Sequence, residues 1–297
     1  MKFWERYSNS IFKLLAQRRM RRLRPKLIEA VLAKSVFLLD AEMLDQIQTF
    51  IADQQAEQGG FADRAGKCDL YYTLFGFYLA EALQVKINHE QLAGYVRKSA
   101  EAPALAGVHL FCAAILYARL IGPDEVSESL RKKIVAELGN QKAAQPDYAG
   151  FMGILALYYL GDFVSINRII PRYRHDTQPA DQPCPVIAAR LVLQSFSNKA
   201  SHEASKNVMA FYRENDGFAA LHHAPAADLL STAVALFALH FIDADIRIIK
   251  PACLSFVDKL YQHGGFVATH DDTQPDIEYT FYGMLALGSM QQGTFAD

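Results

Sequence analysis

Tryptophan occurs once in the 297 residues, at Trp4, and cysteine only at Cys68, Cys112, Cys184 and Cys253. The four thiols stand far apart with no C-x-x-C pair, so neither a disulfide framework nor a clustered zinc site is written in the chain, and a reducing compartment is expected. With 17 glycines and 11 prolines, collagen-like and low-complexity chains are excluded. No uninterrupted apolar run reaches the roughly 18 residues of a membrane span, and the N-terminus lacks the apolar core and small-residue cleavage site of a signal peptide. A cytoplasmic protein is the expectation. P-loop, dinucleotide fingerprint, H-E-x-x-H pair and nucleophile elbow are all missing. What is there is an ordinary globular composition, 51% hydrophobic and 21% charged, in a chain long enough to bury a sizeable core.

Net charge is only -2, but it is unevenly placed. Residues 1–27 hold nine Lys and Arg against one acid, Glu5, which makes that segment +8 and the rest -10. Trp4, Tyr7, Ile11, Leu14 and Leu15 recur there at helical spacing, the pattern of a basic amphipathic helix. Two readings stand: the helix packs its apolar stripe on the main body, or it touches an anionic membrane surface. Nucleic acid is not expected as a partner, because no basic stripe with interleaved aromatics continues past Leu27.

Three segments repeat one pattern: Gly60-Phe61 with Asp69 and Thr73, Gly217-Phe218 with Asp228 and Thr232, Gly265-Phe266 with Asp276 and Thr280. In each, Thr follows Asp by four and opens an apolar run. Such an Asp suits a helix N-cap, where its carboxylate accepts orphan N–H groups and faces the positive end of the dipole. Extending the pattern to weaker copies gives nearly all-apolar helices over 69–83, 104–121, 147–160, 184–197, 228–241 and 276–290. Each is preceded by a more amphipathic one, over 41–55, 88–101, 124–138, 162–172, 201–212 and 246–262. A helix apolar on almost every side must be buried on most sides. Six inner helices within a ring of six outer ones, over 28–297, is therefore the expected all-α architecture, ahead of an open solenoid.

Local motifs carry a family resemblance. Phe50-Ile51-x-x-x-Gln55-x-x-x-Gly59-x-Phe61 is similar to the repeat signature of the squalene cyclases, with Phe61 where Trp is usual. Gly59-Gly60-Phe61-x-x-Arg64-x-x-Lys67-x-Asp69-x-x-Tyr72-Thr73 resembles the prenyltransferase β subunits, one residue short between Lys and Asp. Together with the three repeats, these motifs resemble the superfamily of prenyltransferase β subunits and of squalene and terpene cyclases. The resemblance implies an α/α toroid around an apolar central cavity. It also implies that Arg64, Lys67 and Tyr72 hold an isoprenoid diphosphate and that Asp69 belongs to the same site. On the residues alone, two cations in the loop before a helix N-terminus suit an anion, while a solvated loop with Arg64 paired to Asp69 is the plainer alternative.

The chain departs from both branches. Transferase zinc needs a Cys two residues after the Asp and a His beyond it; Tyr71, Leu230 and Glu278 hold the first position, and Tyr72, Ser231 and Tyr279 the second. No metal and no cofactor are expected, the alternative being a rearranged site of Cys68 with His222, His223 or His270. Cyclases of this superfamily carry Asp-x-Asp-Asp-Thr, with the middle Asp as the acid. Asp228-Leu229-Leu230-Ser231-Thr232 has Leu in that place, and Asp276-Ile277-Glu278-Tyr279-Thr280 has Glu. Glu278 is thus the one candidate acid in register, with Asp276 to tune it. The alternative for Glu278 is a first-turn residue set against the helix dipole. His270-Asp271-Asp272 reads as a polar turn or a cation site. Tyr71, Tyr72, Phe75, Tyr78, Tyr148, Phe151, Tyr279 and Tyr282 read as inner-layer aromatics, either core or π faces toward a cation. Of these, Tyr71, Tyr72, Tyr279 and Tyr282 are expected to bind substrate. The resemblance implies a cyclase-like or isomerase-like enzyme for an apolar isoprenoid, a diphosphate among the options. A prenyltransferase-like enzyme with a rearranged metal site and a non-catalytic binding or scaffold protein of the same fold are its alternatives.

Overall fold

The computed structural model describes residues 18, 23–140, 148–174, 182–196 and 202–291. Six inner helices are Leu70–Leu83 (α3), Gly107–Leu120 (α5), Tyr148–Tyr159 (α7), Cys184–Ser195 (α9), Leu229–Phe241 (α11) and Ile277–Met290 (α13). Alternating with them are the outer helices Ala41–Asp53 (α2), His89–Ala100 (α4), Glu128–Asn140 (α6), Phe163–Ile169 (α8), His202–Met209 (α10) and Lys250–Lys259 (α12). Each inner helix packs on the next, and α13 packs on α3, so the ring closes. The N-terminal turns of α3, α7 and α13 meet at one end of the ring, where Tyr71, Tyr148 and Glu278 interact. No helix among the described residues is long and apolar enough to cross a membrane.

The repeated motif builds one joint three times. Asp69, Asp228 and Asp276 are N-caps, their carboxylates accepting the N–H of Tyr72, Ser231 and Tyr279 at 2.7, 2.8 and 2.7 Å. One turn on, the buried hydroxyls of Thr73, Thr232 and Thr280 accept the backbone N–H of Phe61, Phe218 and Phe266. The glycine before each Phe is required by closeness. A Cβ on Gly217 would stand 2.3 Å from the Thr232 hydroxyl. Two of the joints include short antiparallel hairpins, Phe61–Ala62 (β1) with Cys68–Asp69 (β2) and Tyr261–Gln262 (β3) with Gly265–Phe266 (β4).

The structure adds a helix that the twelve-helix reading lacked, Ile28–Ser35 (α1). It packs on α13 and α3 at the C-terminal end of the ring and buries Ile28, Val31 and Leu32. Eight residues with only these apolar positions give too short a period to stand out in sequence. Several outer helices are also shorter than expected: α8 stops at Ile169 and the chain continues as a 3₁₀ turn, Ile170–Arg174, where Pro171 has no N–H to extend the helix. The expected amphipathic helix of 1–27 lies outside the described residues except for Arg18 and 23–27. There Leu27 is buried, and the Lys26 ammonium donates to the Phe241 carbonyl at 3.0 Å and pairs with Asp243.

At that same end His240 of α11 is 8% exposed with Nδ1 unpartnered, and Lys34, Lys26 and Asp243 face it. Burial first, then the two lysines, depress it to about 4. The unfolded chain then binds the extra proton between about pH 6.5 and 4, so stability falls on acidification across that window. Urea melts should show the wild type losing about 1–2 kcal/mol more between pH 7 and pH 5 than His240→Gln does. Parallel pH curves for the two proteins would refute the assignment.

Candidate functional site: the cavity and its carboxyl mouth

The ring encloses a cavity of about 320 Å³. Its walls come from α3, α7, α9, α11 and α13, and Ile28 of α1 closes the deep end. Aromatic side chains dominate, with Phe75, Phe151, Phe237 and Phe281 among them. Phe75 stacks on Phe281 with ring centres 4.4 Å apart. The polar side chains in the wall are tyrosines, Tyr71, Tyr148 and Tyr282 toward the N-terminal mouth and Tyr78 deeper in, its hydroxyl buried.

Glu278 sits at the second position of α13, half-buried beside that mouth. Its Oε1 accepts from the Tyr71 hydroxyl at 3.3 Å and its Oε2 from Tyr72 at 3.2 Å. Tyr71 and Tyr282 hydroxyls are 3.1 Å apart, and Tyr148 joins the same network. A chain of hydroxyls therefore leads from the carboxyl to the cavity wall. Burial, and next the charge of Asp276, push the Glu278 carboxyl above its ordinary value, while the two tyrosine hydrogen bonds pull it back. Burial likewise holds Tyr71, Tyr72 and Tyr282 well above the usual phenol range, so all three stay protonated.

Behind Glu278 lies an ionic brace. Arg64 donates to Asp276 at 2.5 Å and grips Asp272 with two bonds of 2.7 and 3.2 Å, its guanidinium 5.3 Å from the Tyr279 ring. The Arg64 to Asp69 pairing considered for the loop is replaced by these three bonds to the α12–α13 connection, a tertiary contact across the closed seam of the ring. Asp276 is buried with its caps filled, and burial raises its carboxyl despite Arg64. Asp272, by contrast, is held down to about 2, chiefly by its bonds to Arg64. The His270-Asp271-Asp272 turn thus supplies the clamp on Arg64.

Not every expected residue converges. Tyr71 and Tyr282 line the cavity, Tyr72 holds the carboxyl from outside it, and Tyr279 faces Arg64. Asp69 is occupied as an N-cap. Lys67 is exposed in an outer groove with Cys68, Tyr95 and Lys98, away from Arg64, because the β1–β2 hairpin turns the two side chains to different sides. The zinc donor set of a transferase does not fit here: Tyr71, Leu230 and Glu278 stand where its thiolate would, and among the described residues no three His, Cys, Asp or Glu converge on a metal position. His222 stacks on Phe211 and His270 meets the Phe256 ring, which separates them from Cys68. Sequence reasoning missed Ile28 and the small-residue wall of Ala188 and Ala189; the alanines belong to an apolar run whose inward face no period singles out.

A closed double ring of helices around an aromatic cavity with a hydroxyl and carboxyl rim defines an α/α toroid. The chain belongs to the family described as the prenyltransferase alpha-alpha toroid domain, which matches residues 7–131 and 186–294. A solved structure of Candida albicans protein geranylgeranyltransferase-I complexed with GGPP is similar at 16% identity and a TM-score of 0.39, over 90% of this chain and 83% of that one. Comparison with curated proteins finds no match.

Proposed function

We propose that the protein is an acid/base enzyme that encloses an apolar, isoprenoid-like chain in the toroid and protonates it from Glu278, in a cyclase-type or isomerase-type reaction. The observation that carries this is the Glu278 carboxyl, raised above its ordinary value and held by Tyr71 and Tyr72 at the mouth of an aromatic cavity. A carboxyl whose protonated form is favoured by its surroundings is what alkene protonation requires. Dry walls exclude water from the cation, and the faces of Phe75, Phe237 and Phe281 attract it. Since a cavity of about 150 Å³ takes one benzene ring, about 320 Å³ takes a chain of roughly 10 to 15 carbons. An uncharged head suits this mouth better than a free diphosphate, because Arg64 is already matched by Asp272 and Asp276.

In such a step a new C–H bond forms at one alkene carbon as the Glu278 O–H bond breaks, the cation closes or migrates, and a proton passes from a neighbouring carbon to water at the mouth. The Glu278 carboxylate left behind is reprotonated from solvent. Turnover of C10 and C15 isoprenoid alcohols, hydrocarbons and diphosphates in D2O tests the reading. The expected result is a cyclised or double-bond-shifted product carrying one non-exchangeable deuterium. Turnover of the diphosphate alone, with no deuterium incorporated, would overturn it.

A further inference from the structure

Few large apolar side chains are left in water, and the two most exposed gather at the end of the ring where α1 lies. Among the described residues Ile248 is 96% exposed and Phe37 64%, while Val135, on α6, is exposed to only 36%. Phe37 belongs to the connection between α1 and α2, and Ile248 lies in the turn just before α12. Leu38, Leu39 and Met43 of the first segment share one apolar groove with Leu254 of α12, so the two segments adjoin. An ion pair ties them again, between Lys26 before α1 and Asp243, five residues before Ile248. Single apolar residues scattered over a surface are ordinary. Two such residues on adjoining segments make a surface that an apolar medium would cover.

Charge names the medium. Lys34 and Lys250 stand on the same two segments, Asp243 and Asp245 are paired with Lys26 and Arg247, and the Asp40 carboxylate is turned to the Met43 N–H as the N-cap of α2. Of the nine Lys and Arg in residues 1–27, seven precede Leu23, against Glu5 alone. That stretch is tethered at this end, since Leu27 is buried and Lys26 donates to the Phe241 carbonyl. Apolar anchors beside an excess of cations suit the boundary between anionic headgroups and acyl chains. We propose that this end of the ring docks on an anionic lipid surface, with Phe37 and Ile248 entering that boundary and the basic residues before Leu23 meeting lipid phosphate. The mouth beside Glu278, at the opposite end, then faces water.

The test is sedimentation of the full chain with vesicles of equimolar phosphatidylglycerol and phosphatidylcholine, against vesicles of phosphatidylcholine alone. Expected is binding to the mixed vesicles that weakens at high salt, with little binding to the neutral ones. In Phe37→Ser/Ile248→Ser the partition coefficient should fall about tenfold or more, the loss expected when two apolar anchors are removed. Both side chains are exposed, so the Tm of that variant should hold. Val135→Ser should bind as the wild type does. No binding to the mixed vesicles, equal binding by the double variant, or an equal loss in Val135→Ser overturns the proposal. Another occupant overturns it too. Trp4 is the one tryptophan, so a shift of its emission between wild type and double variant without vesicles would mean that the chain's own N-terminal residues cover the face. A dimer that the double variant dissociates would assign the face to a second copy.

Discussion

Glu278→Gln should cut turnover by about 10²- to 10⁴-fold, the range that positioned acid catalysis contributes, and leave substrate affinity and fold nearly intact. The amide keeps the size, its oxygen accepts from one of the two tyrosine hydroxyls and its NH2 donates to the other, but it carries no transferable proton. Stability should shift by less than about 1 kcal/mol, since the substitution leaves the half-buried site its hydrogen bonds. The pH profile supplies a second sign. An acid works in its protonated form, so wild-type kcat/KM should fall as pH rises through the raised Glu278 value, and the variant's residual rate should lack that limb. A variant with full activity would make Glu278 a helix-start residue and leave the ring without an acid in register.

Gly288→Ala should unseat α1. A Cβ at that position would stand 1.9 Å from the Val31 carbonyl oxygen and 2.7 Å from its carbon, and backbone atoms packed between α13 and α3 cannot step aside as a flexible side chain would. Releasing α1 exposes Ile28, Val31 and Leu32, at about 1.5–3 kcal/mol each, so a loss of about 5 kcal/mol is expected. Because Ile28 closes the cavity, the same variant should open its deep end to solvent. Urea unfolding gives the first quantity, and fluorescence of an apolar dye in the folded protein gives the second. A variant with wild-type stability and no added dye binding would show that α1 tolerates the shift and does not seal the ring.

Much of the site's frame was legible in the residues. Asp, four residues and Thr after Gly-Phe proved to be a joint in which each member has one job: the Asp caps, the Thr hydroxyl takes the Phe N–H, and the Gly makes room. The rim carboxyl was legible too, because Glu278 lies within the first turn and its register follows from Asp276 and Thr280. Which residues face it was not. Tyr71 and Tyr72 come from a helix 200 residues earlier, and Arg64 reaches Asp272 and Asp276 across the closing seam of the ring. Arg64 and Lys67 looked like a pair by spacing, but a two-stranded hairpin, which spacing does not describe, sends them apart.

Sequence alone determined that this is an all-α chain of alternating polar-faced and apolar helices, that its repeats are capped by Asp69, Asp228 and Asp276, and that Glu278 lies in the first turn after Asp276. These follow from local rules, periodicity and the orphan groups of a helix end, which act within a turn or two of chain. Tertiary structure decided the rest: that α13 meets α3 and closes the ring, that α1 fills the end of it, and that Arg64 bridges Asp272 and Asp276. Those outcomes depend on which surfaces face one another after closure, and burial and charge pairing between distant segments leave no period in the sequence.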